Sequence, residues 1–493
     1  MTKPAEGVLL DMITLDRASP TPLYLQLDGQ IRAAVLSGAL AKGDRLPATR
    51  PLARDLGLSR LTVQNTYEQL VAEGFLTATV GAGTFVAEIP VEALPSSSPP
   101  YRQDRHLPGV RLSRRGQSIV QTGATTRIGM TKPFRPGVPA AELFPLRKWS
   151  KLWSKALTGM GRELFGYGPH GGHPALRKSI ATHLSNARGV NCDPGQVIVT
   201  GGAQQAFALS ALALLDPGDV AWVEYPGHTA GRDVLWALGA TVASVPIDNE
   251  GLDLASGRAE QENPKLIFVT PSHQHPLGVT MSLRRRLELL KFADEIGAWV
   301  LEDDYDSEFR YSGRPLPALQ GLDTVECVIY AGSFSKVLYP SLRLGYVVVP
   351  SDLVDAFIAA QIVLSHGTPY LPQVVLGEFM ASGGLAAHIR KMRVAYAERQ
   401  NLLLDSLRQE ATGLLEVEPT DAGMHLIAWL PEDSDDLETS RRLWAAGVET
   451  VPLSIYCSTP YPRQGLLLGF TGVRPEEIKP NVEKLVKVLV AAR

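Results

Sequence analysis

The chain has 493 residues, which at about 100–200 residues per domain predicts two domains or one unusually large one. Aromatic residues make up 7% of the chain, beside 45 glycines and 36 prolines, which excludes a collagen-like repeat and a mostly disordered chain. The formal net charge is −3, from 48 basic and 51 acidic residues, so a surface that binds nucleic acid must be local.

The cysteines and the apolar runs indicate the compartment. Cys192, Cys327 and Cys457 are far apart and odd in number, which predicts buried thiols in a reducing cytoplasm rather than disulfides or a metal-ligand cluster. The N-terminus has no apolar run of signal-peptide length. The apolar segment 204–215 ends in Asp-Pro-Gly, well short of the roughly 20 residues that span a bilayer. These features predict a soluble, cytoplasmic protein without a metal site.

Residues 1–88 carry three helix signals followed by a hairpin signal. Apolar residues recur at intervals of three or four over residues 22–37, and a second short helix is predicted over residues 49–56. Ser59 is a good N-cap for a third helix. Two β-rich runs then flank Gly81-Ala82-Gly83. This order predicts a winged helix-turn-helix domain.

The next stretch, residues 89–125, is rich in proline, serine and arginine and has no sustained apolar period, which predicts a semi-extended linker. A long surface loop within one domain is the alternative interpretation. Over residues 126–493 strand-like runs alternate with helical ones, for example 197–199, 266–269 and 327–330. That alternation predicts an α/β domain with a mostly parallel sheet and helices on both faces.

Basic and hydroxyl side chains cluster where the second and third helices begin. Arg50 opens the second helix, and the third helix begins Ser59-Arg60-Leu61-Thr62-Val63-Gln64. Hydroxyls and amides at such a helix start can contact phosphates, and arginine can pair with guanine. A helical bundle that binds protein is the alternative, but it would not require glycines at the tip of the hairpin.

The motifs GDRLPATR, LARDLGLSRLTV and EGFLTATVGAGTFV resemble the GntR family of bacterial regulators over about residues 20–88. The resemblance implies that this region binds double-stranded DNA, with Gly81 at the tip of the wing near the minor groove. Leu61 departs from the polar residue that is common at its position. The residues that the resemblance places on DNA are Arg50, Ser59, Arg60, Thr62, Gln64 and Gly81.

Three separate motifs are typical of a site for an aldehyde cofactor that carries a phosphate. Lys336 lies on a turn of small residues and can form a Schiff base, while Ser333, Ser335 and Arg343 can bind the phosphate. The turn Gly201-Gly202-Ala203-Gln204 precedes a predicted helix, whose free amides also bind phosphate.

The third motif is acidic. Asp303 and Tyr305 are two residues apart on an extended chain and therefore face the same side. A carboxylate there can hold a pyridine nitrogen protonated, and the phenol can donate to the 3′ oxygen of the cofactor. A solvated acidic loop is the alternative interpretation of the run.

Together these motifs resemble the fold type I aminotransferases, and with the GntR-like head the whole chain resembles the MocR/GabR regulators. The resemblance implies a pyridoxal 5′-phosphate site with Lys336 as the attachment residue. His228 stands where the family has an aromatic residue that stacks on the ring, and His275 stands where aminotransferases have an asparagine. The cofactor-binding residues that it implies are Lys336, Asp303, Tyr305, His228, Ala203, Gln204, Ser333, Ser335, Arg343 and His275.

Aminotransferases bind the α-carboxylate of the substrate with an arginine near the C-terminus. Residues 452–457 and 465–470 contain no arginine, and Arg463 is the nearest one. This departure predicts a sensor of an amine or amino-acid-like effector, such as an ω-amino acid or the amino sulfonate taurine, through external aldimine formation. The alternatives are an active aminotransferase with an accessory DNA-binding head and a sensor of pyridoxal phosphate itself.

The resemblance also implies how the protein acts in the cell. Fold type I sites are usually built at subunit interfaces, so a homodimer is expected. The family suggests a transcription activator of a neighbouring metabolic operon that represses its own gene.

Overall fold

The computed structural model describes residues 13–79, 81–88, 112–121, 131–260, 263–313 and 316–491. The chain divides into two compact units between Arg111 and Leu112. In these described parts, Cys192, Cys327 and Cys457 are free thiols, and no helix combines the length and apolar character needed to cross a bilayer.

The first unit consists of three helices and a hairpin, as predicted. Its core forms because apolar residues three or four apart lie on one face of each helix. Leu27 and Ile31 of the first helix and Val63 and Leu70 of the third are fully buried. The elements are α1 (Leu23–Leu36), α2 (Thr49–Leu56), α3 (Arg60–Ala72), β1 (Leu76–Thr79) and β2 (Gly83–Val86).

The bounds of α2 and α3 follow from local chemistry. Gly57 ends α2 with a φ of 64°, a left-handed conformation that glycine adopts without steric cost. Ser59 is the N-cap of α3, and its hydroxyl accepts a hydrogen bond from the Thr62 amide at 3.0 Å. The short turn between α2 and α3 is therefore determined locally, by Gly57 and Ser59.

The second unit has helices along its whole length. They are α4 (Arg114–Gln121), α5 (Leu146–Gly159), α6 (Pro174–Arg188), α7 (Ala203–Leu214), α8 (Thr229–Ala237), α9 (Leu254–Glu260), α10 (Leu283–Ile296), α11 (Val354–Ser365), α12 (Tyr370–Ala381), α13 (Gly384–Glu410), α14 (Asp436–Ala445) and α15 (Pro475–Val490).

The strands of the second unit form two sheets. An eight-stranded sheet has the order β3-β10-β9-β8-β7-β4-β5-β6, and a four-stranded antiparallel sheet has the order β11-β12-β14-β13. The strands are β3 (Val197–Thr200), β4 (Val220–Tyr225), β5 (Thr241–Asp248), β6 (Gly251–Leu252), β7 (Leu266–Val269), β8 (Trp299–Asp304), β9 (Val328–Ser333), β10 (Gly345–Val348), β11 (Glu416–Val417), β12 (His425–Trp429), β13 (Val451–Pro452) and β14 (Gly465–Gly469).

The large sheet confirms the predicted α/β class. Strands β9, β8, β7, β4 and β5 run parallel, whereas β10 is antiparallel to both of its neighbours. Alternate residues of the strands pack into different hydrophobic clusters: Ile198 and Ile329 lie with Phe207 of α7, whereas Val199 and Tyr330 lie in a separate cluster with α6 and α12. Helices therefore cover both faces of the sheet.

The predicted linker needs a correction. Its residues 89–111 and 122–125 lie outside the described residues, but residues 112–121 belong to the second unit and contain α4, which lies against α8. A semi-extended chain is therefore wrong for α4. The sequence did not reveal this helix because it is only eight residues long, arginine-rich and low in apolar residues, and such a short helix is stable only where it lies on a folded unit.

The end of β8 contains a buried ion pair. Arg188, at the end of α6, donates from Nε to Asp304 Oδ2 at 2.8 Å, and both side chains are only 3% exposed. The Arg188 guanidinium also donates to the Ser272 hydroxyl and to the Leu316 carbonyl, and Tyr330 donates to the same Asp304 oxygen at 2.6 Å. This pair joins α6 to the central strand of the sheet.

Replacement of Arg188 should destabilise the second unit. We expect Arg188→Gln to lower the free energy of unfolding of the second unit by about 3–5 kcal/mol, because Asp304 would remain buried without its counter-charge. Arg284→Gln is the matched control, since Arg284 is 58% exposed and its pairs with Glu250 and Glu288 are on the surface; its loss should change the free energy of unfolding far less than the loss of Arg188 does. Urea titrations followed by circular dichroism measure both, and equal costs would contradict the assignment.

Candidate functional site

A cavity of about 380 Å³ opens at the carboxyl ends of the parallel strands. In open α/β sheets ligands bind at this edge, because the loops that leave the strands converge there. The cavity brings together every residue that the sequence predicts for the cofactor, from six separate stretches of chain. Its lining includes Ala203, Gln204, His228, His275, Asp303, Tyr305, Ser333, Ser335, Lys336 and Arg343.

Lys336 follows β9 and lines the cavity, where its side chain is partly buried. Its Nζ donates a hydrogen bond to the Gly137 carbonyl at 3.1 Å. Burial lowers the pKa of Lys336, and the carboxylates of Asp306 and Asp303 oppose that effect. A lowered pKa makes the neutral, nucleophilic form of the amine easier to reach.

Gly137 is suited to this contact by its lack of a side chain. A Cβ at this position would lie 2.4 Å from Lys336 Nζ, and the residue has a φ of 71°. The left-handed backbone favours glycine, and the absence of a Cβ leaves room for the end of the Lys336 side chain. The contact fixes the segment around Gly137 directly over the lysine.

Asp303 lies on the face of β8 that borders the cavity. Its Oδ1 is buried and has no hydrogen-bond partner among the described residues. Burial raises its pKa well above the usual value, and Asp304 and Asp306 raise it further. A buried carboxyl without a partner fits a ligand that presents a protonated nitrogen, as the pyridine ring of pyridoxal phosphate does.

The neighbours of Asp303 point to the opposite face of the strand, as alternation requires. Glu302 accepts hydrogen bonds from the amides of Leu319 and Gln320, both at 2.9 Å. Asp304 is paired with Arg188 as described above. Of these three consecutive acidic residues, Asp303 is the one that faces the ligand space.

Tyr305 is held by a histidine and an aspartate. Its hydroxyl lies 3.0 Å from His273 Nδ1, which also lies 3.1 Å from Asp306 Oδ2. Because Asp306 requires a donor, the hydrogen belongs on Nδ1, and Tyr305 keeps its phenolic hydrogen available. Burial raises the pKa of Tyr305 well above its usual value, so the phenol remains a donor.

Three further histidines form one wall of the cavity. His228 Nδ1 accepts a hydrogen bond from the Gly231 amide at 3.2 Å and caps α8. Burial, with a contribution from the Lys336 charge, lowers the pKa of His228 to about 4. Burial also lowers the pKa of His425 to about 4 and that of His275 well below its usual value. At neutral pH these three rings are uncharged.

The phosphate end of the cavity combines a helix start with a turn of hydroxyls. The first N–H groups of a helix have no acceptor inside it, and Ala203 and Gln204 begin α7 beside the cavity. The Ser333 hydroxyl accepts from the Ser335 amide at 3.1 Å. Arg343 is exposed at the rim. Such a set of donors is suited to a phosphate dianion.

Some lining residues have no signal in the sequence motifs. Arg135 and Gly137 come from the segment before α5, and His425 and Tyr456 come from the C-terminal part of the chain. Arg463, the arginine nearest to the segments that lack one, lies outside the cavity. It pairs with Glu416, and its guanidinium lies 4.9 Å from the centre of the Trp429 ring.

The residues predicted to contact DNA lie in the first unit. Arg50, Arg60 and Gln64 are exposed at the starts of α2 and α3. Gln64 donates to Glu68 at 2.9 Å, and Ser59 is hydrogen bonded to the Thr62 hydroxyl at 2.8 Å. Gly81 lies in the turn between β1 and β2 and is exposed.

Two known families match the chain. Bacterial regulatory proteins of the gntR family match residues 23–86, and aminotransferase class I and II matches residues 140–478. A protein of Rhizobium meliloti named "Probable rhizopine catabolism regulatory protein MocR" is 38% identical over 480 residues, which cover 97% of this chain and 96% of that protein. The chain belongs to the MocR-type regulators.

Other proteins resemble this MocR-type regulator in whole or in part. The "HTH-type pyridoxine biosynthesis transcriptional regulator PdxR" of Corynebacterium glutamicum is 30% identical, over 93% of this chain and 94% of that protein. The crystal structure of LysN, an α-aminoadipate aminotransferase of Thermus thermophilus, is 26% identical, with a TM-score of 0.68 over 77% of this chain and 96% of that one. The second unit has the fold type I transferase fold, and its cofactor is pyridoxal 5′-phosphate.

The lowered pKa of His228 makes a testable contribution to stability. In the protein freed of cofactor, the folded chain protonates His228 with a pKa of about 4 and the unfolded chain with one near 6.5. The unfolded state therefore binds more protons as pH falls from 6.5 towards 4, and stability is lost over that range. Between pH 7 and pH 5 the loss from this histidine is about 2 kcal/mol, at about 1.4 kcal/mol per pKa unit.

His228→Asn isolates this effect, because asparagine retains a good N-cap oxygen for α8 but does not titrate. The stability difference between pH 7 and pH 5, measured by urea unfolding, should be about 2 kcal/mol smaller in the variant than in the wild type. Identical pH dependence of the two proteins would show that His228 is not held neutral by burial.

Proposed function

We propose that this PLP-dependent transcription regulator senses an amine in the cavity of its second unit and reports it through the DNA-binding first unit. The observation that carries the proposal is the unpartnered Asp303 carboxyl beside the buried Lys336 amine. Both lie in a chain that also contains a winged helix-turn-helix. The cavity is used as a sensor, with little or no turnover of the ligand.

Each lining residue has a role toward the cofactor. When bound, pyridoxal phosphate supplies an aldehyde that condenses with amines and a pyridinium ring that withdraws electrons. Lys336 would supply the amine of attachment, Asp303 would hold the proton on the ring nitrogen, and Tyr305 would donate to the ring oxygen. His228 and His275 would line the space for the ring. The phosphate is bound by Ala203, Gln204, Ser333, Ser335 and Arg343.

The cavity supports an effector that differs from an ordinary α-amino acid. The two C-terminal segments from which aminotransferases supply the α-carboxylate arginine contain none, and Arg463 is directed elsewhere. An ω-amino acid or an amino sulfonate such as taurine is therefore the class that we propose. The relatives are named for different pathways, rhizopine catabolism and pyridoxine biosynthesis, so the effector follows from the cavity of each chain.

A sensor of the cofactor itself is the second candidate, and the name of the Corynebacterium glutamicum relative favours it. The two candidates differ in one result. A cofactor sensor gives the same DNA affinity with and without amine once Lys336 is loaded, whereas an amine sensor does not. Multiple turnovers of keto acid from a panel of amines would instead support an active aminotransferase with an accessory head.

The same proposal includes a cytoplasmic homodimer that activates a neighbouring metabolic operon and represses its own gene. Large apolar side chains support self-association of the second unit. Phe165 and Tyr167 are each 88% exposed and Val363 is 85% exposed. Exposed apolar residues of this size are typical of surfaces that bind another protein.

The cofactor assignment predicts a visible absorbance that depends on one lysine. Lys336→Ala should abolish the absorbance and the borohydride-reducible link to the chain, whereas Lys291→Ala, at an exposed position, should leave both unchanged. Asp303→Asn should weaken cofactor binding and shift the spectrum, because an amide cannot neutralise a pyridinium. A reducible adduct in Lys336→Ala would refute the assignment.

The DNA assignment predicts two different losses. Arg60→Ala should cost about 1–3 kcal/mol of binding to DNA upstream of the protein's own gene and relax specificity at one base pair. Arg50→Ala should weaken specific and random DNA alike and reduce the salt dependence by about one ion. Arg441→Ala, in the second unit, is the control for charge. Gel shifts at several salt concentrations measure these effects, and equal losses on both DNAs for both variants would contradict the division of roles.

A further inference from the structure

One positively charged side chain of the cavity, that of Arg135, has no role in binding the cofactor in the proposed function. Among the described residues that line the cavity, the cationic side chains are Lys336, Arg343 and Arg135. The proposed function uses Lys336 for attachment and Arg343 for the phosphate. Arg135 remains, on the segment that passes over Lys336.

The backbone around Arg135 is fixed from both sides. The Phe134 carbonyl accepts from the Gly469 amide at 2.8 Å, and the Pro133 carbonyl accepts from the Glu449 amide at 2.9 Å. Two residues further on, the Gly137 carbonyl accepts from Lys336. Because β14, Glu449 (two residues before β13) and Lys336 all hold this short segment, Arg135 is presented to the cavity from a fixed support.

The side chain of Arg135 is itself oriented by a carboxylate. Its Nε lies 3.5 Å from Glu449 Oε1, and Glu449 is almost completely buried. Among the described residues, the Nη atoms of Arg135 have no hydrogen-bond acceptor. Glu449 therefore occupies one edge of the guanidinium and leaves the other edge for a second anion, to which arginine can bind through two parallel hydrogen bonds.

Arg135 is also electrically close to the reacting amine. Burial is the main cause of the lowered pKa of Lys336, and the Arg135 charge adds to it. A ligand whose amine reaches the position of Lys336 Nζ is thus within the field of Arg135. The same ligand binds more tightly if it also carries a negative group, because Arg135 attracts that group.

We propose that Arg135 binds the acidic group of the effector, so that the effector is an amine with a carboxylate or a sulfonate. The inference rests on the proposed function and adds the residue that replaces the missing C-terminal arginine. Arg135 supplies the binding energy and orientation that this arginine supplies in aminotransferases, but it comes from a segment near the start of the second unit's sequence.

The test compares amines that differ only in their acidic group. Cofactor-loaded protein is titrated, by its visible absorbance, with γ-aminobutyrate and 4-aminobutan-1-ol, with taurine and ethanolamine, and with alanine and isopropylamine. Wild-type protein should prefer the acidic member of at least one pair by about 10- to 100-fold, the value of a charged hydrogen-bonded contact. The pair with the largest preference identifies carboxylate or sulfonate as the group bound.

Arg135→Gln should reduce that preference to about one- to two-fold, measured as the ratio of the affinities of the two members of a pair in the same variant. Arg135→Lys should retain part of it, because lysine keeps the charge but not the two-pronged geometry. Arg463→Gln is the matched control, since Arg463 also pairs with a glutamate but lies outside the cavity; it should behave as wild type. An unchanged cofactor spectrum in each variant shows that the site is folded, and Arg135→Lys carries the test if Arg135→Gln loses cofactor.

The outcomes separate this inference from the proposed function. If wild-type protein responds to no amine, the amine-sensing function fails, and this inference with it. If wild-type protein prefers acidic amines and both Arg135 variants keep that preference, the sensing function stands and the assignment of Arg135 is overturned. A preference lost in Arg463→Gln and kept in Arg135→Gln would place the acidic group at Arg463.

Discussion

The buried carboxyl of Asp303 is the constraint around which the second unit is organised. An ionisable group that leaves water without a partner costs several kcal/mol. The adjacent carboxyls both have partners: Glu302 accepts hydrogen bonds from two backbone amides, and Asp304 is paired with Arg188 and accepts a hydrogen bond from Tyr330. Asp303 receives no such compensation from the described residues. Its partner therefore has to come from the ligand, and cofactor binding and folding stability of this unit are coupled.

The histidines of the cavity wall lie near Lys336, Asp303 and Asp306. Burial keeps these histidines neutral, so they add hydrogen-bonding groups to the cavity without adding charge. His273 is committed to Asp306, which leaves the Tyr305 hydrogen for the ligand. The protein thus places one donor, one acceptor and one amine at separate points of the cavity, which is an arrangement that can orient an aromatic cofactor.

A regulator and an enzyme can share such a site and differ in what holds the substrate. The second unit has the aminotransferase fold and its cofactor, but the two C-terminal segments from which aminotransferases supply the α-carboxylate arginine contain none. Arg135 comes from a segment much earlier in the chain, which is fixed by β14 and by Glu449. A shift in the position of one guanidinium changes which amines fit and how they are oriented, while the cofactor and its attachment stay the same.

The elements that depend on nearby residues could be predicted from the sequence alone. Helix caps such as Ser59 and Gly57 act within four residues, and strand alternation places Asp303 and Tyr305 on one side whatever lies around them. The turn that carries Lys336 is similarly local. These local interactions explain why the three helices and their hairpin could be predicted without coordinates, whereas the full set of cofactor residues was predicted from the family resemblance.

Other features depended on packing between distant parts of the chain. Arg135 and Gly137 meet a lysine about 200 residues away, and His425 joins a wall that also contains His228 and His275. Helix α4 has only eight residues, too few for a helical period in the sequence to be decisive, and it lies against α8. No pattern within a short window specifies these contacts, because each one exists only after separate segments have folded onto the same sheet. The sequence thus determined the chemical groups and their local geometry. Only the packing of distant segments in the tertiary structure determined which of these groups lie next to one another.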